Sequence, residues 1–262
     1  MGGKRPENRS TQRKKSAPGA GDGMGNTLKP RLEHAEKTGL CSLSECRLKE
    51  YPLELQCAAD KLRSLDLSKN KIKHIPDCIG QLTKLKILVL SNNKIVKLPD
   101  AFCQLVKLET LNLSGNQLHN LPLGFGQLAA LKSLNISENN LKKFPEQLTK
   151  LPALEALDLS SNKIAEMADT PAIANLNCSE LVLNVNQLAV LPSNLAKCPR
   201  LKILRVQENC LTLDGIPSCL LSDSTIHSFS VEGNLFEERE LHQVDGWEKY
   251  QGRFTAAKKK MF

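Results

Sequence analysis

Apolar residues fall on one line that the chain repeats: Leu-x-x-Leu-x-Leu-x-x-Asn-x-Leu-x-x-Leu-Pro. Its cleanest copies run from Leu85 to Pro99 and from Leu108 to Pro122. The asparagine recurs at Asn70, Asn93, Asn116, Asn139, Asn162, Asn186, Asn209 and Asn234, at intervals of 23, 23, 23, 23, 24, 23 and 25 residues. At the centre of each copy, leucines alternate with outward residues, as in Leu88-Val89-Leu90. Period two predicts a short strand with its leucines on one face. The asparagine then predicts the turn out of that strand. Its amide has a donor pair and an acceptor, enough for backbone groups in its own coil and the adjacent one. Eight such residues predict an asparagine ladder inside a stack of coils. After each Leu-Pro come further apolar residues, as from Pro99 to Phe102 and Leu105. They predict a return path of short helical or 3-10 segments along the opposite face.

Stacked copies predict an α/β solenoid, a curved horseshoe of about nine coils with a parallel sheet on its concave face. A coil is too small to bury a core alone, but its neighbours complete one. The period and the line resemble the leucine-rich repeat. The 23-residue Leu-Pro form resembles the intracellular class that includes the Ras-scaffold and Scribble-type proteins. That resemblance implies a cytosolic adaptor and supplies no catalytic residues.

The boundaries follow from where the line holds. Residues 1–30, rich in Gly, Ser, Pro, Lys and Arg, predict a disordered basic leader. Residues 31–37 predict an N-terminal cap helix, and 38–236 the solenoid, whose first coil has Cys46 in place of the asparagine. Residues 237–262 predict a C-terminal cap helix and basic tail, because Leu241, Val244, Trp247, Tyr250 and Phe254 recur at helical spacing. The line loosens after Asn162: Ala168 stands where Pro is expected and Pro171 comes late. An irregular loop or a change of curvature is expected there.

Charge and cysteine content narrow the setting. The formal charge is +8. Residues 1–31 hold eight basic residues against Glu7 and Asp22, so the leader carries +6 and the rest of the chain only +2. The solenoid therefore reads as nearly neutral, and its concave face offers neither a basic stripe nor an aromatic platform for nucleic acid. The nine cysteines include no C-x-x-C pair, and no disulfide-type cap flanks the array. They read as structural thiols of a reducing compartment, which places the chain in the cytoplasm. Met24-Gly25-Asn26 is a second Met-Gly start, which makes Gly25 a lipidation candidate, although Lys29 stands where the myristoylation pattern wants Ser or Thr. One such acyl chain implies weak membrane association.

The sequence predicts no enzyme, cofactor, metal site or small-molecule substrate. His34, His74, His119, His227 and His242 are scattered, with no nucleophile-base order, phosphate loop or metal-ligand spacing. The predicted working surface is the concave sheet face, at the residue between the last two leucines of each copy. Those residues are Asp66, Val89, Asn112, Asn135, Asp158, Val182 and Arg205, with Ser42 and Ser230 at the ends. Apolar spots on a polar strip suit a protein partner. The next outward serines, Ser68, Ser91, Ser114, Ser137 and Ser160, are expected to serve the turn. The expectation is a monomeric, non-catalytic interaction scaffold. The alternative is a regulatory subunit of a signalling enzyme such as a phosphatase.

Overall fold

The computed structural model describes residues 25–260. The expected leader falls outside this range as far as residue 24. Each Leu-x-Leu becomes a three-residue strand: β1 (Leu40–Ser42), β2 (Ser64–Asp66), β3 (Ile87–Val89), β4 (Thr110–Asn112), β5 (Ser133–Asn135), β6 (Ala156–Asp158), β7 (Glu180–Val182), β8 (Ile203–Arg205) and β9 (Ser228–Ser230). They form one parallel sheet in chain order. The register is the repeat itself, with Leu65 opposite Leu88, Leu88 opposite Leu111 and Leu111 opposite Leu134. On the convex side the return segments form short 3-10 turns, such as Asp77–Gln81, Asp100–Gln104 and Leu123–Gln127.

The leucines of the line face inward and are fully buried, as are Leu85, Leu90, Ile95 and Leu105. Phe102 and Phe125 stack on the convex side with ring centroids 6.4 Å apart. Burying such a side chain is worth about 1.5–3 kcal/mol. Half of the wall around it comes from the next coil, so the stack holds together as a unit.

The asparagines close the polar account of this core. Asn116 Nδ2 donates to Leu113 O (2.9 Å) and Ser114 O (3.3 Å) of its own coil and to Leu90 O (3.0 Å) of the coil before. Its Oδ1 accepts from Ile95 N at 3.0 Å. Asn93 and Asn139 make the same four bonds, and Asn234 at the last coil keeps three of them.

The residue before each asparagine is left-handed. Lys69, Asn92, Gly115, Glu138, Ser161, Val185 and Glu208 have φ between +53 and +65°. For a β-branched residue such as Val185 this is a strained conformation. It persists because each N–H then meets a carbonyl of the next coil, as Glu138 N meets Ser160 O at 2.9 Å.

Two helices close the ends. Helix α1 (Gly25–Thr38) starts six residues before the expected position and takes in Pro30. It buries Ala35, packs Leu28 and Leu32 against the core, and sends Arg31 Nη1 to Ser42 O at 2.9 Å. A short helix α2 (Ser218–Ser222) lies in coil eight. At the far end the single expected helix is two pieces: a 3-10 turn (Glu238–Gln243) holding Leu241, then helix α3 (Trp247–Lys259). Gly246, at φ +92°, makes the break. Helix α3 satisfies the open side of the last coil. Phe229 N donates to Tyr250 Oη at 3.1 Å, and Arg253 donates to Ile226 O (2.8 Å) and Leu221 O (2.7 Å).

The loosened coil is irregular as its sequence predicts. Its 3-10 turn is displaced to Pro171–Asn175. Asp169 ties it to the next coil by accepting from Ser193 Oγ (2.7 Å), Asn194 N (3.0 Å) and Asn194 Nδ2 (2.8 Å). The Ser193 hydroxyl, then the Asn194 amide, hold its carboxyl down at about 2. All nine cysteines are free, and Cys41, Cys103, Cys178 and Cys198 are buried. Burial pushes the Cys178 thiol up to about 12 and Cys198 to about 11, so both stay protonated as small apolar residues.

Candidate functional site

Strands β1 to β8 bury their central residue and turn the two flanking ones outward, while Phe229 of β9 is half-buried. Strict register places Asp66, Val89, Asn112, Asn135, Asp158, Val182 and Arg205 in one row across the sheet. All seven are half-buried. The parallel row beside them begins with exposed Leu40 and includes Ile87, Thr110, Ala156 and Ile203.

The members of the row divide by chemistry. Asp66 Oδ1 accepts from Ser68 N at 2.8 Å. Asn112 Oδ1 accepts from Ser114 N (2.9 Å) and its hydroxyl (2.7 Å), and Asn135 holds Ser137 at the same two distances. Asp158 Oδ1 accepts from Ser160 N (2.9 Å) and Oγ (2.6 Å). A short polar side chain ending a strand reaches the amide two residues on, and this bond stabilises the turn. One oxygen of each polar member is therefore already engaged, and Asn135 Nδ2 adds a 3.3 Å contact to Asp158 Oδ2. Val89 and Val182 have no such duty. Neither does Ile87, which is 43% exposed. Arg205 Nε donates to Glu180 Oε1 at 3.0 Å, leaving its other nitrogens outward.

Sequence reasoning passed over Asn184 and Gln207, which stand where earlier coils have serine. Asn184 Nδ2 donates to Gln207 Oε1, and Gln207 N donates back to Asn184 Oδ1, both at 3.0 Å. The broken run of serines was the available signal. At the rim before the strands, Lys86 (2.8 Å) and Lys132 (3.4 Å) bracket Glu109. The Lys86 hydrogen bond, with Lys132 behind it, holds the Glu109 carboxyl below its ordinary range. Lys86, Glu109 and Lys132 at the rim, and Arg205 with Glu180 in the sheet, thus pair within the chain.

Two clefts lie off the sheet, where the chain has passed the ladder. One, of about 740 Å³, is lined by His119, Leu123, Lys142, Phe144 and Gln147. The other, of about 610 Å³, lies between Lys49, Leu53, Lys71, Lys73 and Lys94. Among the described residues no group of three or more His, Cys, Asp or Glu is placed to hold a metal ion. No described helix is long and apolar enough to cross a membrane. Gly25 is the first residue of α1.

Residues 28–178 match the family described as leucine-rich repeat region. A leucine-rich repeat protein of Leptospira interrogans is 27% identical, with a TM-score of 0.67 over 80% of this chain and 58% of its own. The present chain therefore spans less than two thirds of that protein. The ectodomain of the Arabidopsis thaliana receptor kinase GASSHO1/SCHENGEN3, in complex with CASPARIAN STRIP INTEGRITY FACTOR 2, is 27% identical, with a TM-score of 0.59 over 74% of this chain and 27% of its own. Internalin C2 of Listeria monocytogenes, 22% identical with a TM-score of 0.64 over 79% and 92%, shares the fold.

Proposed function

The chain belongs to the leucine-rich repeat family, and we propose that it is a non-catalytic scaffold binding a partner protein on the outer face of its sheet. One observation carries this reading: within the described residues, the strands' main element contacts are with one another and, at β1, with α1, while β9 adds the Phe229 N–Tyr250 Oη bond to α3. Nine strands at about 4.8 Å spacing leave a face of roughly 38 Å uncovered. Its apolar members, Ile87, Val89 and Val182, sit among polar residues whose turn bonds hold them rigid. A preordered surface loses little side-chain entropy when a partner settles on it. The Arabidopsis ectodomain, solved in complex with CASPARIAN STRIP INTEGRITY FACTOR 2, supports a binding role for the fold. The five histidines stand apart on α1, on coils two, four and nine, and before α3, which gives catalysis no support.

Within the family, we propose kinship with leucine-rich repeat-containing protein 57. Residues 24–262 resemble it at Met24-Gly25-Asn26, at His34 to Gly39, and from Glu232 to Lys260. That kinship carries the proposal of acylation at Gly25.

The test is affinity capture from cells, comparing wild type with an Ile87→Arg, Val89→Lys, Val182→Lys variant of unchanged circular dichroism. These positions are preferred because arginine at Asp66, Asn112 or Asp158 would also break a turn bond. Partners lost only from the variant are expected. An unchanged set of partners would remove the sheet face from the proposal. Mass spectrometry of the captured protein's own N-terminus reads acylation, and an unmodified Gly25 start would retire it.

A further inference from the structure

The nearly neutral total of the solenoid conceals a segregation of charge. Where the chain leaves the sheet in the first three coils, residues one, three and four positions past the ladder position are exposed. Over the first three coils, counting Cys46 as the first asparagine position, six of the nine are basic: Arg47, Lys49, Lys71, Lys73, Lys94 and Lys97. Glu50 is the one carboxylate among them. Lys142, Lys143 and Lys163 extend the strip over coils five and six.

Stacking brings like charges together. Lys71 N donates to Leu48 O and Lys94 N to Ile72 O, so these coils are bonded in register. Lys71 then lies beside Lys94 in one column, and Lys49 beside Lys73 in another, about 4.8 Å apart along the backbone. Like charges so placed repel and disfavour the fold. Among the described residues none of the six basic groups forms an ion pair. The sheet rim is the internal contrast, since there Glu109 stands between Lys86 and Lys132. Farther along the strip Lys143 pairs with Glu166 at 2.7 Å, so the run of basic groups without an ion pair is that of the first three coils.

The cleft of about 610 Å³ lies within this strip and has an apolar floor. Leu53, 62% exposed, and Pro76 supply that apolar surface between Lys49, Lys71, Lys73 and Lys94, and Glu50 and His74 also line the cleft. Tyr51 is buried at 6% exposure, so its ring offers no stacking platform for a base. A bilayer would draw on the charge alone and make little use of one leucine and one proline set between lysines. A peptide uses both, since side chains of an extended segment alternate and one apolar group can enter where carboxylates cannot.

We propose that this groove binds an acidic, extended segment of a partner protein. One apolar side chain of the segment seats on Leu53 and Pro76, while its carboxylates pair with Lys49, Lys71, Lys73 and Lys94. The groove is separate from the sheet face and does not depend on that reading. Together the two surfaces would let one scaffold hold two protein segments at once.

The experiment is fluorescence anisotropy on the whole chain, with a fluorescein-labelled peptide of alternating Glu and Asp around a central Leu-Phe pair. Saturable, salt-sensitive binding is expected. A Lys71→Glu, Lys73→Glu, Lys94→Glu variant should weaken it at least tenfold. The Lys71→Gln, Lys73→Gln, Lys94→Gln variant should weaken it less but in the same direction, which separates lost attraction from introduced repulsion. Leu53→Ser, or Gly-Ser in place of Leu-Phe in the peptide, should weaken it at least threefold, an effect that a purely ionic contact would not show. The Ile87→Arg, Val89→Lys, Val182→Lys variant should bind the peptide like wild type, so that failure of one surface is distinguishable from failure of the other. Equal binding by wild type and the lysine variants overturns the proposal, and so does equal binding of the two peptides. Absence of saturable peptide binding, with lysine-dependent binding to phosphatidylserine vesicles or single-stranded RNA in its place, also overturns it.

Discussion

At the scale of single residues, the ladder asparagines contribute most per atom. Asn116 is 7% exposed, and its one amide serves four backbone groups of two coils. Asn116→Ala leaves those groups buried without that partner, at a cost of about 2–4 kcal/mol in unfolding free energy. Urea titration should show a lower midpoint at unchanged m-value, and a loss below ~1 kcal/mol would contradict this account. Half-buried Asn234 should lose less on the same substitution, because water reaches its partners. Asp169 supplies a pH-dependent tie. Its carboxyl is held at about 2 against an ordinary 3.8, chiefly by the Ser193 hydroxyl. A depressed folded value means that its contribution is present above the unfolded value and disappears as pH falls through the folded one. The stability gap between wild type and Asp169→Ala should therefore be open at pH 6 and closed near pH 2. A gap of equal size at both would dispose of the tie. The asparagines were legible because all eight share one position in the line. Asp169 was not, since its partners lie in the following coil and a lone aspartate in a loop resembles any solvated one.

At the scale of elements, the caps show how far periodicity reaches. Helical spacing gathers Leu241, Val244, Trp247, Tyr250 and Phe254 into one segment, whereas the structure has a 3-10 turn and a helix on either side of a glycine break. Spacing counts residues and does not see φ. At Gly246 an added Cβ would lie 2.6 Å from Ser222 N and 2.7 Å from Ser222 Cβ, at a φ that other residues rarely adopt. Gly246→Ala should cost at least about 2 kcal/mol through strain and clash together. It should also loosen α3 from the last coil, baring the β9 amide of Phe229 that Tyr250 now holds and the Ile226 and Leu221 carbonyls that Arg253 holds. Exposed strand edges recruit other chains. Light scattering during a thermal ramp should then show association of the variant below its unfolding midpoint, and a variant as stable and as monodisperse as wild type would refute this. Helix α1 does comparable work at the other end, where Arg31 reaches Ser42 O.

At the scale of the whole molecule, the fold is one coil solved once and stacked. Its two long faces have opposite habits. The sheet face spends much of its polarity internally, on turns and on the Lys86–Glu109–Lys132 bracket, and what it offers outward is Ile87, Val89, Val182 and part of Arg205. The edge beyond the ladder keeps Lys49, Lys71, Lys73 and Lys94 uncompensated around a leucine floor. A count of charges over the chain averages these together, so near-neutrality of the total says nothing of how the charge is distributed.

The amino-acid sequence by itself determined the coil: its period, its inward leucines, its parallel register and its ladder, because each depends on contacts between equivalent positions of neighbouring repeats. It also placed the seven outward residues of the sheet in one row. Only the tertiary structure decided which of them are free, because the bonds from Asp66, Asn112, Asn135 and Asp158 depend on the turn's dihedral angles. Only stacking decided that lysines 23 or 24 residues apart stand side by side, since charge in a solenoid sums down columns and the chain lists it along rows.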